Sequence, residues 1–135
     1  MALQYSVAVR NAKLDAVETA IGASAILKFR TGAPPANCAA ADSGTVLATL
    51  NLPADWMAAA ASGQKAKAGT WQDASADAAG TVGHYRIYAT DGVTCHEQGT
   101  VTATGGGGDI EVNNTVFAVA QDVQVTSYVK TAGNA

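Results

Sequence analysis

Beyond Gly22 this chain never sustains a helical spacing of apolar residues. They come instead in short runs, each cut off by Gly, Pro, Asn or Asp. Ile26, Leu27 and Phe29 run into Thr31-Gly32, Thr45 to Leu50 stops at Pro53, and Gly83 to Ala89 runs into Asp91-Gly92. Parallel sheets need long crossover connections, usually helices, and no segment after residue 22 offers one. The punctuation therefore excludes α/β and predicts a mainly β protein. Its expected form is an antiparallel β-sandwich, jelly-roll-like, of about seven or eight short strands.

The first 24 residues read differently. Val7, Leu14, Val17 and Ile21 form one stripe of a 3.6-residue helix. Ser6 is a natural cap for its start, and Gly22 a left-handed stop. Arg10, Lys13, Asp15 and Glu18 fall off the stripe. The organisation expected is an N-terminal α-helix over 1–24 and a sandwich over 25–135. The stripe needs a partner, either the chain's own sheet or a neighbouring subunit.

Further strands are expected over Gln64 to Trp71, with Lys65 and Lys67 alternating against Ala66 and Ala68, over Thr94 to Thr104, and at Ile110–Val112, Val116–Val119 and Val123–Val129. Segment 54–62 reads as a helical turn or as irregular chain. Loops are expected at 33–44 and 72–80, with a flexible connector at Gly105–Gly108. Asp91-Gly92 is the strongest hairpin signal. A two-residue turn there faces Arg86 with Glu97, Ile87 with His96 and Tyr88 with Cys95. That register puts Cys95 on the face of the ion pair unless a longer loop or a bulge changes the parity.

Composition bounds the function. Charged residues make up 14% of the chain and hydrophobic ones 48%, with 30 alanines. A typical soluble domain carries about 25% charged residues. Charge is what holds monomers apart in solution, so this surface is expected to be covered by other protein chains. The net charge is −3 and the eight basic residues are scattered, which argues against nucleic acid and against an anionic membrane surface. No apolar run approaches the ~20 residues of a membrane span. Met1 to Ser6 has neither the charged leader nor the apolar core of a secretory signal, so synthesis in a cytoplasm is expected.

Few residues suggest chemistry. Cys38 and Cys95 lie 57 positions apart; they pair as a disulfide if the surroundings oxidise them, or pack as two free thiols. His84, His96, Cys38 and Cys95 have the right elements for zinc but lack close ligand spacing. Cys95 with a histidine has no supporting nucleophile pattern, and no G-x-S-x-G elbow occurs. Gly105–Gly108 lacks the Gly-Lys-Ser/Thr of a phosphate loop. Asn113-Asn114-Thr115 matches a glycosylation sequon, but with no secretion signal it reads as a turn. No catalytic residue, cofactor site or metal site is assigned, and the expectation is that the chain is not an enzyme. Trp56 and Trp71 are large anchors, for the core or for a subunit interface.

Three stretches carry a resemblance: FRTGAPPANCAAADSGTVLATLNLPADWM (29–57), GTWQDASADAAGTVGHYRIYATDGVTCHEQGTV (69–101) and GGGGDIEVNNTVFAVAQDVQVTSYVKTAGNA (105–135). They resemble a family of small virion structural proteins of tailed bacteriophages, often labelled tail-fibre or hypothetical structural proteins. The resemblance implies a β-sandwich with a leading helix, present in many copies on the virion and without catalytic residues. It also implies cysteines at the positions of Cys38 and Cys95. The function expected is decoration or cementing of a multi-subunit assembly: capsid exterior, neck and collar, or tail. Partners would be other virion proteins and further copies of the chain, touched through Val7, Leu14, Val17, Ile21, Trp56 and Trp71. Assembly would take place in the bacterial host cytoplasm. The alternative is a fibre or collar appendage that binds a host-surface glycan or receptor through loops 33–44, 72–80 and 105–108.

Overall fold

The computed structural model describes residues 3–133. It is mainly β with one N-terminal helix. Helix α1 spans Val7–Ile21. Ser6 caps it, its hydroxyl accepting from the Val9 amide, and Gly22 ends it at φ 95° with its N–H donating to the Glu18 carbonyl. Among the described residues ten strands follow: β1 Ile26–Thr31, β2 Val46–Asn51, β3 Gln64–Ala66, β4 Trp71–Asp73, β5 Gly80–Tyr88, β6 Cys95–Ala103, β7 Ile110–Val112, β8 Val116–Phe117, β9 Val123–Val125 and β10 Val129–Thr131. The number exceeds the seven or eight expected because segments read as single strands break into pieces of two or three residues.

The main sheet runs β2-β1-β5-β6-β7, with β8 added on β5; β10-β3 and β4-β9 form separate pairs. Every pairing is antiparallel except β6 with β7, which is parallel. That pair departs from the wholly antiparallel expectation, and the four glycines explain it. The chain turns back from β6 to β7 through Thr104–Asp109, far shorter than an ordinary parallel crossover. Gly105 and Gly107 take φ 86° and 79°, and a Cβ on Gly106 or Gly108 would stand within 3 Å of Thr102. The segment is thus a packed return rather than a loose connector.

One face of the sheet presents Leu27, Phe29, Tyr85 and Ile87, and these pack against Trp56, Trp71 and Phe117 in the core. Of the chain's eight aromatic residues, all but Tyr5 are buried. Trp56, Trp71, Tyr128 and Tyr85 touch in series, with centroids 5.9, 5.6 and 6.2 Å apart. Trp56 and Trp71 have no solvent exposure. They anchor the chain's own core, which corrects their expected place at a subunit interface.

The helix docks in an unexpected way. Only Leu14 and Ile21 of its apolar stripe are buried; Val7 and Val17 stay exposed. The docked face is largely polar, because segment 57–63 is mostly irregular and leaves backbone amides without strand partners. Glu18 accepts from the Met57 amide at 3.2 Å, Asp15 from Ala60 at 3.2 Å and Asn11 from Gly63 at 2.8 Å. Lys65 reaches the same two carboxylates at 2.7 and 2.8 Å. It is the buried residue of β3 while Gln64 and Ala66 face out, so the alternation expected there runs inverted. A buried charge without a counterion is costly, and the buried Lys65 together with these amides outweighs the apolar stripe in setting the helix's orientation.

Replacement Glu18→Ala strips both Lys65 and the Met57 amide of a partner and is expected to cost about 2 kcal/mol in urea unfolding. Val17→Ser, on the open face of the same helix, is expected to stay within about 0.5 kcal/mol of the parent. Equal costs at the two positions would contradict the polar docking.

Candidate functional site

On the opposite face of the main sheet the side chains alternate to Lys28, Arg30, His84, Arg86 and Tyr88. Loop 32–45, between β1 and β2, folds back over this face. Arg86, 1% exposed, is its hub. Its guanidinium donates to the carbonyls of Asn37 at 2.9 Å, Cys38 at 3.2 Å and Ala40 at 3.2 Å, to Asp42 Oδ1 at 2.5 Å and to Gln98 Oε1 at 3.2 Å. Gln98 in turn donates to the Pro35 carbonyl at 2.6 Å. Arg30 donates to Asp42 Oδ2 at 2.8 Å and to the Tyr88 hydroxyl at 3.2 Å, and the Tyr88 hydroxyl donates to Asp42 Oδ1 at 2.7 Å. A planar fork of five N–H groups suits so many acceptors; a lysine's point charge does not.

The electrostatics follow from these contacts. Burial works to raise the Asp42 pKa, but the Tyr88 hydroxyl, Arg86 and Arg30 outweigh it and hold it below the ordinary carboxylate value. Burial, then the Asp42 carboxylate, push the Tyr88 phenol up to about 12. Both guanidinium groups are occupied by the protein's own oxygens, so the cluster acts as a clasp for loop 33–44 and offers no open anion site.

The hairpin beside the clasp resolves the register question. The Ala89 amide donates to Thr94 O at 2.9 Å, closing a four-residue connection in place of the two-residue turn expected. Asp91 caps it, accepting from the Val93 and Thr94 amides and the Thr94 hydroxyl, and these bonds hold its carboxyl near about 2. Tyr88 pairs with Cys95 as expected, but the register shifts before Ile87, which faces Glu97, and Arg86 faces Gln98. The bulge at His96 therefore sends Glu97 to the core face. There its Oε2 accepts from Tyr85 at 2.9 Å and Tyr128 at 2.7 Å, and Lys130 pairs with Oε1. Burial, then Glu97, drive both phenols upward. Sequence reading missed this cluster; only the bulge it left open pointed toward it.

Cys38 and Cys95 come together at the rim of the clasp and are unbonded. Burial, then the Cys38 thiol, push the Cys95 thiol up to about 12. The histidines do not join them: His84 bonds the Gly32 carbonyl through Nδ1 at 2.9 Å. Among the described residues no three His, Cys, Asp or Glu side chains gather in a metal-sized group. The glycine return does build an anion nest, yet the chain fills it itself: Glu111 accepts from the Gly105 and Gly107 amides at 2.9 and 3.2 Å. Segments 74–79 and 104–109 lie at the end of the main sheet where Thr31 is beside Val82 and where β6 ends, whereas loop 33–44 starts there but folds back along the sheet to bring Cys38 to Cys95 at the other end. No protein-family model matches the chain, and no characterised protein or solved structure matches it either.

Arg86→Met is expected to cost about 2 kcal/mol, because the half-buried carbonyls of Asn37, Cys38 and Ala40 lose their shared donor while Asp42 keeps Arg30 and Tyr88; limited proteolysis should then cut within 33–44 first. Acid has a defined effect as well. The folded-state pKa of Asp42 lies below its unfolded value, so its contribution is full above about pH 4 and lost as the pH falls through the folded value. The urea midpoint of the parent is therefore expected to drop further below about pH 4 than that of Asp42→Asn.

Proposed function

We propose that this chain is a structural component of a tailed-bacteriophage virion, decorating or cementing a multi-subunit assembly on the capsid exterior, at the neck and collar, or on the tail. The observation that carries the reading is the state of the surface. The chain has few charges, and Arg30, Lys65 and Arg86 are buried in internal ion pairs. Of the remaining lysines, four stack over aromatic rings within 6 Å. Against this, Leu3 and Tyr5 before helix α1 and Val7 and Val9 in its first turn are 68, 40, 49 and 42% exposed. Apolar surface of this kind marks association sites. In this reading the ridge contacts other virion proteins or further copies of the chain, and no catalytic role is assigned. The fold is read as a β-sandwich of jelly-roll type, with Leu27, Phe29 and Ile87 of the main sheet facing Trp71 and Val125 of the β4–β9 pair.

The position of segments 74–79 and 105–108 at one end of the main sheet favours a second reading, a fibre or collar appendage that touches a host-surface glycan or receptor. Loop ends on a rigid scaffold are common binding surfaces.

Antibodies against the chain are expected to label intact phage particles. Sedimentation velocity of the purified protein is expected to show self-association that Val7→Asp weakens. Unlabelled particles together with a monomer at every concentration remove the first reading; retention of the labelled chain on host cells, lost when 105–108 is altered, supports the second.

A further inference from the structure

The groove at the rim of the arginine clasp holds both cysteines of the chain. It measures about 600 Å³, opens to solvent and is lined by Cys38, Ala39, Ala40, Val93, Thr94 and Cys95. The backbone of Cys38 is fixed through its carbonyl, which accepts from Arg86 at 3.2 Å. The backbone of Cys95 is fixed by its pairing with Tyr88, two residues along β5 from Arg86. Arg86 thus bonds the backbone of one cysteine and lies two residues from the strand partner of the other, and both cysteines line the same groove. Both cysteines are partly exposed, and the alanines around them leave room for a small reagent.

We propose that Cys38 and Cys95 are a modification site: a preassembled thiol pair that closes to an intramolecular disulfide by exchange with a small-molecule disulfide, locking loop 33–44 onto the β5–β6 hairpin. Cys95 donates its S–H to the Glu97 carbonyl at 3.3 Å and is held protonated, so Cys38 reacts first. Deprotonated Cys38 attacks one sulfur of the reagent R–S–S–R; that S–S bond breaks, and one R–SH leaves with the proton lost by Cys38. Cys95 then gives its proton to solvent and attacks the Cys38 sulfur in the mixed disulfide, expelling the second R–SH. Two protein thiols are oxidised and one reagent disulfide is reduced, with no other electron acceptor needed. The arginine clasp depends on an ionised Asp42, whereas the covalent tie does not, so the closed form holds the loop in acid as well.

The test is to incubate the native chain with oxidised glutathione, alkylate it under denaturing conditions and read the mass. The expected product is a monomer short of two hydrogens, carrying no alkyl group, with Cys38 and Cys95 peptides linked. Its thermal midpoint should lie roughly 10 °C above that of the reduced chain, since a long loop is closed in the unfolded state. Cys95→Ser should stop at the glutathione mixed disulfide on Cys38, and Cys38→Ser should react about tenfold more slowly. The double replacement supplies the reference without either thiol. Two alkylatable thiols after incubation, stable glutathione adducts on both cysteines, or disulfide-linked dimers as the main product would each overturn the proposal.

Discussion

Short strands joined by irregular chain leave many backbone amides and carbonyls with no ladder partner, and in a compact interior each must find one. This protein meets that requirement with its few charged side chains. Glu18 and Asp15 serve the amides of segment 57–60, Asp73 serves Thr49, Asp91 its own turn, Asp109 Thr100, and Glu111 the glycine return. Arg10 serves the Ala132 carbonyl and Arg86 those of loop 33–44. The charges are structural parts first. Arg30, Lys65 and Arg86 do this work inside, while Asp15, Asp91, Asp109 and Glu111 do it at the surface.

That internal use bears on how the molecule meets its surroundings. Buried ion pairs contribute little net stability compared with apolar packing of the same volume, but breaking one by removing a partner is costly. The arginine clasp and the Lys65 docking site therefore act more by fixing the loop and the helix in one arrangement than by adding stability. A fixed helix holds Val7 and Val9 in a constant place on the surface. A constant surface is what repeated contacts in an assembly require.

The helix boundaries were legible, because Ser6 and Gly22 act through local backbone chemistry that neighbouring residues cannot change. Strands β1, β2 and β5 were legible for a similar reason: β-branched and aromatic residues between turn formers have few other options. The inward Lys65 was not, since its burial rests on two carboxylates about fifty positions earlier. Glu97 was hidden by one extra residue at His96 that reverses the strand's parity. The tryptophans read as core anchors or as interface residues, and the aromatic series from Trp56 to Tyr85 places them inside.

By itself, the order of residues determined a mainly β chain led by one capped helix, with little charge to spare and two cysteines far apart in number. Only the tertiary structure decided that the helix docks by its carboxylates, that a glycine run turns β7 parallel to β6, and that Cys38 and Cys95 meet. Local propensities depend on neighbours in sequence and can be read there. Which distant amide needs an acceptor, and which buried charge needs a counterion, is settled only when the loops close and water is excluded.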